Sequence, residues 1–181
     1  MPGRLSYYFH CVAAATLTVG LSACSDYRLT VNEKTVYTPD PLFTAFEVVD
    51  ENLKNCIIQR IEDQAITAAG KLKELNCSHG NITSLVGIGT FRGLQRLKLS
   101  NNKLEDLTPL AQLTQLEVLD LGDNPLSELG PVAGLPRLSL LNLVGNKQLR
   151  CSEIEPERLS PLLRVEAPEH CKRQTNPSGD R

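Results

Sequence analysis

Cysteine is the residue type in this 181-residue sequence with the clearest potential for covalent chemistry. Of the six cysteines, four follow residue 50, and they form two local pairs whose members lie 21 and 20 residues apart. An even number of cysteines favours disulfide bonds when a chain is exported, and the first 24 residues, described below, predict export. Closing loops of this length would stabilise the fold by about 3 kcal/mol per bond. We predict that each cysteine bonds to its neighbour in the sequence, as Cys56–Cys77 and Cys151–Cys171. Neither bond then spans the middle of the chain.

A zinc site is the competing interpretation of the same cysteines. His79 or His170 could supply an imidazole beside a cysteine pair. Structural zinc sites, however, usually bring two cysteines within a few residues, as in Cys-x-x-Cys, and this spacing does not occur here. We therefore favour disulfides and expect neither a bound metal nor an organic cofactor.

The first 24 residues have the layout of a secretory signal. Arg4 is the only charged residue before Asp26, and a largely apolar stretch covers residues 7–21. That stretch is too short for a typical membrane span. It ends in Leu21-Ser22-Ala23-Cys24, which resembles the lipobox of bacterial lipoproteins, L-[A/S/T]-[G/A]-C.

The lipobox resemblance implies that Cys24 carries diacylglycerol and a further fatty acyl chain such as palmitate, once the signal peptide over residues 1–23 is removed. Such chains would hold the protein on a membrane, because each buried methylene contributes about 0.8 kcal/mol. In a Gram-negative cell, Ser25 after the cysteine resembles an outer-membrane sorting signal, so the protein would face the periplasm or the cell surface. An ordinary signal peptide cut nearby, with Cys24 free, is the alternative.

A leucine pattern repeats through the middle of the sequence with a constant period of 22 residues. Leu-x-x-Leu-x-Leu begins at Leu94, Leu116 and Leu138, and a first copy begins at Leu72 with a cysteine as its last member. The alternating leucines favour a short strand with one buried face, and the three-residue spacing that follows favours an extended or 3₁₀ return segment. An asparagine follows the last leucine by three residues in three units: Asn102, Asn124 and Asn146.

This pattern resembles the leucine-rich repeat family, L-x-x-L-x-L-x-x-N/C-x-L, and its period is most similar to that of the bacterial, internalin-like type. The resemblance covers four units over residues 72–149. It implies an α/β solenoid, a short right-handed superhelix with parallel β-strands on its concave face. The three asparagines are expected to point inward and bond the backbone of neighbouring coils, because an unpaired buried amide would be costly.

The segments on either side of the repeats are expected to cover the ends of the solenoid, since an uncovered end would expose the core. Residues 43–71 are the predicted N-terminal cap, with Asp50 as the N-cap of a helical region over residues 51 to about 69. A break of this helical region near Asp63 is an open alternative. Residues 150–171 are the predicted C-terminal cap, with a helix or helical turns over residues 153–163. Outside the caps we expect a tether or extended arm over residues 24–42 and a disordered tail over residues 172–181.

Alternation along the strands identifies the side chains on the concave face, which is the usual binding face of the family. Val118, Leu140 and Val144 form an apolar cluster with polar neighbours, an arrangement typical of an interface centre. The alternative is that these residues reflect strand propensity and lie partly under the C-terminal cap. The predicted binding face comprises Arg96, Lys98, Val118, Asp120, Leu140, Asn142 and Val144.

Opposite charges on neighbouring strands, Glu74–Arg96 and Lys98–Asp120, are expected to form cross-strand pairs of small energy. Four strands would give a face of roughly 350 Å², below the ~800 Å² per partner of a standard protein interface. The face alone therefore suits a peptide, a glycan or a loop, and a larger protein partner would also contact edge loops or caps.

Composition narrows the function classes. The net charge of −2 and the 4% aromatic content, without a basic block, argue against nucleic-acid binding. Ser78 and His79 match no nucleophile motif, and Asp120 and Asp123 occupy a rim rather than a cleft, which argues against an enzyme. We expect a non-enzymatic, monomeric envelope protein that binds a protein, peptide or glycan through its repeats. A structural envelope lipoprotein without a dedicated ligand is the alternative.

Overall fold

The computed structural model describes residues 29–31, 34–37, 40–155 and 159–172. The signal sequence, Cys24 and the tail beyond residue 172 lie outside the described residues, and their assigned roles stay predictions. The chain divides into two compact units, Met1–Pro41 and Leu42–Arg181. In the first unit, β1 (Leu29–Val31) and β2 (Lys34–Tyr37) pair as an antiparallel hairpin. The remaining described elements belong to the second unit.

The N-terminal part of the second unit is built around α1 (Glu51–Asp63). The helix ends at Asp63, at the break that the sequence left open within residues 51 to about 69. It ends there because Ala65 adopts a left-handed conformation (φ 49°) and the amide of Ile66 donates to the carbonyl of Ile61 at 2.9 Å. This Schellman-type ending satisfies a carbonyl of the last turn. A 3₁₀ turn at Ala69–Lys71 then leads into the sheet. The buried face of α1 has the helical spacing expected from the sequence and consists of Leu53, Ile57 and Ile61.

Five parallel strands form one sheet in sequence order. The strands are β3 (Glu74–Asn76), β4 (Arg96–Lys98), β5 (Val118–Asp120), β6 (Leu140–Asn142) and β7 (Arg164–Glu166). The middle residues lie side by side in the register Leu75, Leu97, Leu119, Leu141 and Val165. The 22-residue period thus places equivalent residues of successive coils next to each other.

The last strand, β7, corrects the sequence-based prediction of four strands followed by a helix or helical turns over residues 153–163. The chain instead makes a 3₁₀ turn at Cys151–Ile154 and returns to the sheet, where β7 pairs with β6. The strand was missed because its inward residue, Val165, follows Leu141 by 24 residues rather than 22. A short helix, α2 (Glu169–Lys172), comes next, so Lys172 is helical rather than the first residue of a tail.

The core lies between the sheet and a row of 3₁₀ turns, one in each coil. Its apolar residues are the leucines of the repeat, and Leu97, Leu119 and Leu141 are fully enclosed. Each coil returns through one of the turns Ile88–Thr90, Thr108–Gln112 and Gly130–Gly134. No helix in the described part of the chain has the length and hydrophobicity needed to span a bilayer.

The segment before α1 is held against the first coil by aromatic packing. Phe43 and Phe46 contact the buried ring of Phe91, with ring centroids 6.1 and 5.2 Å apart from it. The amide of Phe43 also donates to the carbonyl of Ile66 at 2.8 Å. Residues 43–49 therefore pack on the first coil as expected, without forming a strand of the sheet.

The strand face as a candidate binding site

The outward residues of β3–β7 form two columns on one side of the sheet, which we call the strand face. In each strand the middle residue points into the core and its two neighbours point outward, as alternation requires. The first column is Glu74, Arg96, Val118, Leu140 and Arg164, and the second is Asn76, Lys98, Asp120, Asn142 and Glu166. The structure thus brings together the predicted strand residues and adds Arg164 and Glu166, which the prediction missed with β7.

The first column changes from charged to apolar along the solenoid. Arg96 forms an ion pair with Glu74, as predicted, and both side chains are more than half exposed. Such an exposed pair contributes little to stability because water screens it. Val118 and Leu140 follow in direct register, and Arg164 stands beyond them on β7. The column therefore presents an apolar pair between two arginines.

The second column is hydrogen-bonded within itself. Asp120 Oδ1 accepts a hydrogen bond from Asn142 Nδ2 at 2.8 Å and from the amide of Gly122 at 3.1 Å. Among the described residues, Lys98 forms no ion pair with Asp120, so that predicted cross-strand pair is wrong. The Asp120 carboxylate turns toward Gly122 and Asn142 instead, and this leaves the exposed Lys98 ammonium facing solvent.

The apolar cluster of the strand face is partly exposed. Val118 and Leu140 are half-buried, and Val144, which follows β6, keeps 38% of its surface exposed. The amide of Val144 donates to Asn142 Oδ1 at 3.0 Å, which fixes the backbone at the edge of the cluster. With a fifth strand the face covers roughly 400 Å², still below a standard interface of ~800 Å² per partner.

The three repeat asparagines point inward and are buried, as expected from the cost of an unpaired amide. Asn124 shows the pattern: its Nδ2 donates to the carbonyls of Leu99 and Leu121 at 3.0 Å, and its Oδ1 accepts from the amide of Leu104 at 3.1 Å. Asn102 makes equivalent bonds one coil earlier. These side chains tie neighbouring coils together and are not available to a ligand.

Family comparison agrees with this geometry. Residues 70–112 match the model described as "Leucine Rich repeats (2 copies)", and residues 92–147 match the model described as "Leucine rich repeat". Residues 70–147 are leucine-rich repeats. The fold is therefore an α/β solenoid with a five-stranded parallel sheet. Leucine-rich repeats are typically protein-interaction modules, and their folds are typically binding scaffolds rather than enzymes.

Solved structures similar to this chain include two internalins from Listeria monocytogenes. Internalin C2 is 33% identical over 49% of this chain, with a TM-score of 0.41, and this chain covers 37% of it. The internalin InlF is 22% identical over 64% of this chain, with a TM-score of 0.45, and this chain covers 42% of it. The chain thus spans less than half the length of either internalin. Among curated proteins, none is significantly similar to this sequence.

Both predicted disulfides are present at the ends of the leucine-rich repeats. Cys56 on α1 bonds to Cys77 directly after β3, with Cα atoms 5.9 Å apart. Cys151 bonds to Cys171 on α2, with Cα atoms 5.3 Å apart. The first bond attaches the helix to the first coil, and the second attaches the final helix to the last coil.

The residues considered for metal binding or catalysis do not form such a site. The sulfurs of Cys151 and Cys171 lie within 4.8 Å of a His170 nitrogen, but they are bonded to each other at 2.05 Å and offer no thiolate. His170 Nε2 lies 2.9 Å from the carbonyl oxygen of Leu149.

The other candidate nucleophile, Ser78, has no base beside it in the described part of the chain. Ser78 Oγ accepts a hydrogen bond from Ser100 Oγ at 3.0 Å, so its nearest partner is another hydroxyl. The neighbouring His79 is exposed and has a left-handed backbone (φ 60°). Asp123 is likewise exposed, and no cleft encloses it with a histidine. These residues lack the contacts of a catalytic triad.

A shallow groove of about 570 Å³ lies on the opposite side of the repeats, between the 3₁₀ turns, and sequence reasoning missed it. Its lining includes Val86, Arg92, Asp106 and Thr108. Hydrogen bonds from the side chain and the amide of Thr108 lower the pKa of Asp106. The groove is an open hollow between successive coils, without a nucleophile and base in contact.

Proposed function

We propose that this chain is a non-enzymatic, membrane-anchored protein of the cell envelope that binds a protein or peptide on its strand face. The observation that carries the proposal is the apolar pair Val118 and Leu140, placed in register on adjacent strands and left half-buried. Exposed apolar surface surrounded by polar side chains is the usual centre of an interface. A glycan would find fewer aromatic platforms here, since only 4% of the residues are aromatic.

The charges around this pair support a peptide-like ligand. Arg164 stands at one end of the apolar pair, Arg96 at the other end shares its charge with Glu74, and the exposed Lys98 has no acidic partner among the described residues. These cations would favour a segment with an apolar centre and acidic flanks. Because the face is small, such a segment would be a loop or a single extended peptide.

Membrane anchoring rests on the amino-acid sequence near the N-terminus. Leu21-Ser22-Ala23-Cys24 follows an apolar stretch and resembles a lipobox. Lipid on Cys24 would place the repeats at the membrane surface, with residues 24–42 as the tether. For a Gram-negative host, Ser25 favours the outer membrane.

A structural role without a dedicated ligand is the second candidate, and one observation favours it. Asp120 and Asn142 satisfy each other's hydrogen-bonding groups, and Glu74 pairs with Arg96. A face whose polar groups already pair internally offers fewer free donors and acceptors to a partner.

Site-specific photo-crosslinking in the native cell separates the two candidates. A photoreactive residue replaces Val118 on the strand face, and the control probe replaces the exposed Thr108, which lies in a 3₁₀ turn on the other side. We expect a discrete protein adduct from the Val118 probe alone, and mass spectrometry would identify it. Adducts of equal yield from both probes, or none from either in a strain with abundant folded protein, would contradict strand-face binding of a protein.

A further inference from the structure

The C-terminal edge of the sheet is open. Strand β7 bonds to β6 through Arg164, whose amide donates to the carbonyl of Ser139, and through Glu166, whose carbonyl accepts from the amide of Leu143, both at 2.9 Å. In a parallel strand, alternate residues direct their N–H and C=O groups to opposite sides. The main-chain groups of Val165 therefore point away from the sheet, and none of the described residues bonds to them.

The two ends of the solenoid are covered to different degrees. At the N-terminal end, α1 buries Leu53 and Ile57 completely. At the C-terminal end, Leu163 and Val165 are only half-buried, and Leu162 is 85% exposed. Since an open solenoid end exposes its core, the C-terminal end needs a further cover. The neighbouring α2 and the Cys151–Cys171 bond do not bury these side chains.

The charges on β7 are complementary to those of a second β7 strand that runs antiparallel to it. Arg164 and Glu166 flank Val165, both are exposed, and neither forms an ion pair within the described residues. If two β7 strands paired antiparallel about Val165, each Arg164 would face the Glu166 of the other copy. Parallel pairing in register would instead oppose like charges, which destabilises cross-strand pairs.

We propose that two copies of this chain associate by antiparallel pairing of β7 about Val165. The main-chain groups of Val165 would bond to those of the second copy, and two Arg164–Glu166 pairs would flank them. The two five-stranded sheets would then form one continuous sheet. Because the edge is short, the dimer would be reversible, and this proposal differs from the monomer that the sequence predicts. The inference does not depend on the strand-face ligand.

Cysteine crosslinking of the full-length chain tests the register directly. In the proposed dimer, Val165 of one copy lies opposite Val165 of the other as a hydrogen-bonded pair. The two Cα atoms would be about 5.5 Å apart, a separation that suits a disulfide. Val165→Cys should therefore give a covalent dimer on mild oxidation. The matched control is Val144→Cys, the same substitution at an exposed valine away from the β7 edge. Non-reducing gels and mass spectrometry would measure the yield.

Charge reversal supplies the second measurement in the Val165→Cys background. Arg164→Glu or Glu166→Arg alone would oppose like charges twice, and we expect roughly a tenfold lower crosslinking yield. The double reversal should restore the yield. Urea unfolding of each variant, with its extra cysteine blocked, would verify that the fold is unchanged.

Three outcomes would overturn the proposal. Val165→Cys could give no more dimer than Val144→Cys, which would mean that the edge is free or covered by the chain's own tail, a segment without cysteine. It could give an adduct with the mass of another protein. Finally, the yield could stay unchanged when the charges are reversed. None of these results bears on crosslinking from Val118, so the two proposals fail separately.

Discussion

Asp50 accepts two hydrogen bonds from Thr83, one from its amide at 2.8 Å and one from its hydroxyl at 2.9 Å. Both reach Asp50 Oδ2, while Oδ1 accepts the amides of Asn52 and Leu53 at 3.0 Å and so caps α1. A single carboxylate thus caps the helix and attaches it to the first coil. The Cys56–Cys77 bond supplies a second, covalent attachment between the same two parts.

Replacement of Asp50 by alanine should lower the free energy of unfolding by about 2–3 kcal/mol. The change removes an N-cap, typically worth about 1 kcal/mol, and leaves the donors of Thr83 without their acceptor. Urea unfolding would measure it. The control is Glu51→Ala, in the same helical turn, whose exposed side chain forms an ion pair with Lys54 at 3.4 Å and no other polar contact with a described residue. Equal losses for the two variants would contradict the double role of Asp50.

The stability of the N-terminal cap should depend on acid pH through Asp50. Burial raises the pKa of this carboxyl, but the bonds from Thr83, Leu53 and Ser84 outweigh burial and hold the pKa below its usual range. The carboxylate is thus more favoured in the folded state, so its stabilisation is complete above the unfolded pKa of about 4. It is lost as pH falls through the lower folded pKa.

Denaturant unfolding between pH 2 and pH 6 would measure this contribution. The difference in stability between the natural chain and Asp50→Asn should shrink as the pH falls. A difference that stays constant over this range would show that Asp50 does not titrate with folding.

Loss of a repeat asparagine should destabilise the solenoid to a degree set by its number of bonds. Asn124→Ala would leave the carbonyls of Leu99 and Leu121 and the amide of Leu104 unpaired, and we expect a loss of about 3–4 kcal/mol. Asn146 donates to two carbonyls, but its Oδ1 accepts no hydrogen bond from the described residues. Asn146→Ala should therefore cost less, about 2 kcal/mol.

Thermal unfolding of both variants would give this order. A larger loss for Asn146→Ala would mean that its carbonyl oxygen has a partner, such as a buried water. Retained far-ultraviolet circular dichroism before the transition would show that each variant still folds.

The strand-face proposal predicts that Val118→Lys together with Leu140→Lys lowers partner capture at least about tenfold. Two ammonium groups would replace the apolar centre and face Arg96 and Arg164, which repel them. The fold should persist, because both side chains are only half-buried. Capture from native membranes would measure the effect, with Thr108→Lys as the control. Unchanged capture would favour the structural role.

The lipid-anchor proposal predicts that Cys24→Ala abolishes labelling by a palmitate analogue and moves the protein from membranes to the soluble fraction. Cys11→Ala is the matched control, because Cys11 lies within the apolar signal stretch and would be removed with it. Metabolic labelling and fractionation would measure both. Labelling that survives Cys24→Ala would contradict lipid attachment at this residue.

The sequence by itself was sufficient to predict the repeating part of this protein. A constant spacing makes each coil the copy of the last, so the leucines that fill the core and the asparagines that bond neighbouring coils follow from position alone. The disulfide pairing was predictable for a related reason, since the repeats keep the two ends apart and leave each cysteine one nearby partner.

Only the tertiary structure decided the features that break the repeat. Val165 joins the sheet although its spacing departs from the 22-residue period. The main-chain groups on the open edge of β6 bond to the returning chain irrespective of that spacing. Asp120 bonds to Asn142 rather than to Lys98. The strand register places both neighbours beside Asp120, and the rotamer of its side chain decides which one it contacts. Asp50 bonds to Thr83, which lies 33 positions further along the chain. The 22-residue period determines which residues occupy equivalent positions in successive coils. These other contacts depend on side-chain rotation and on where non-repeating segments meet in space.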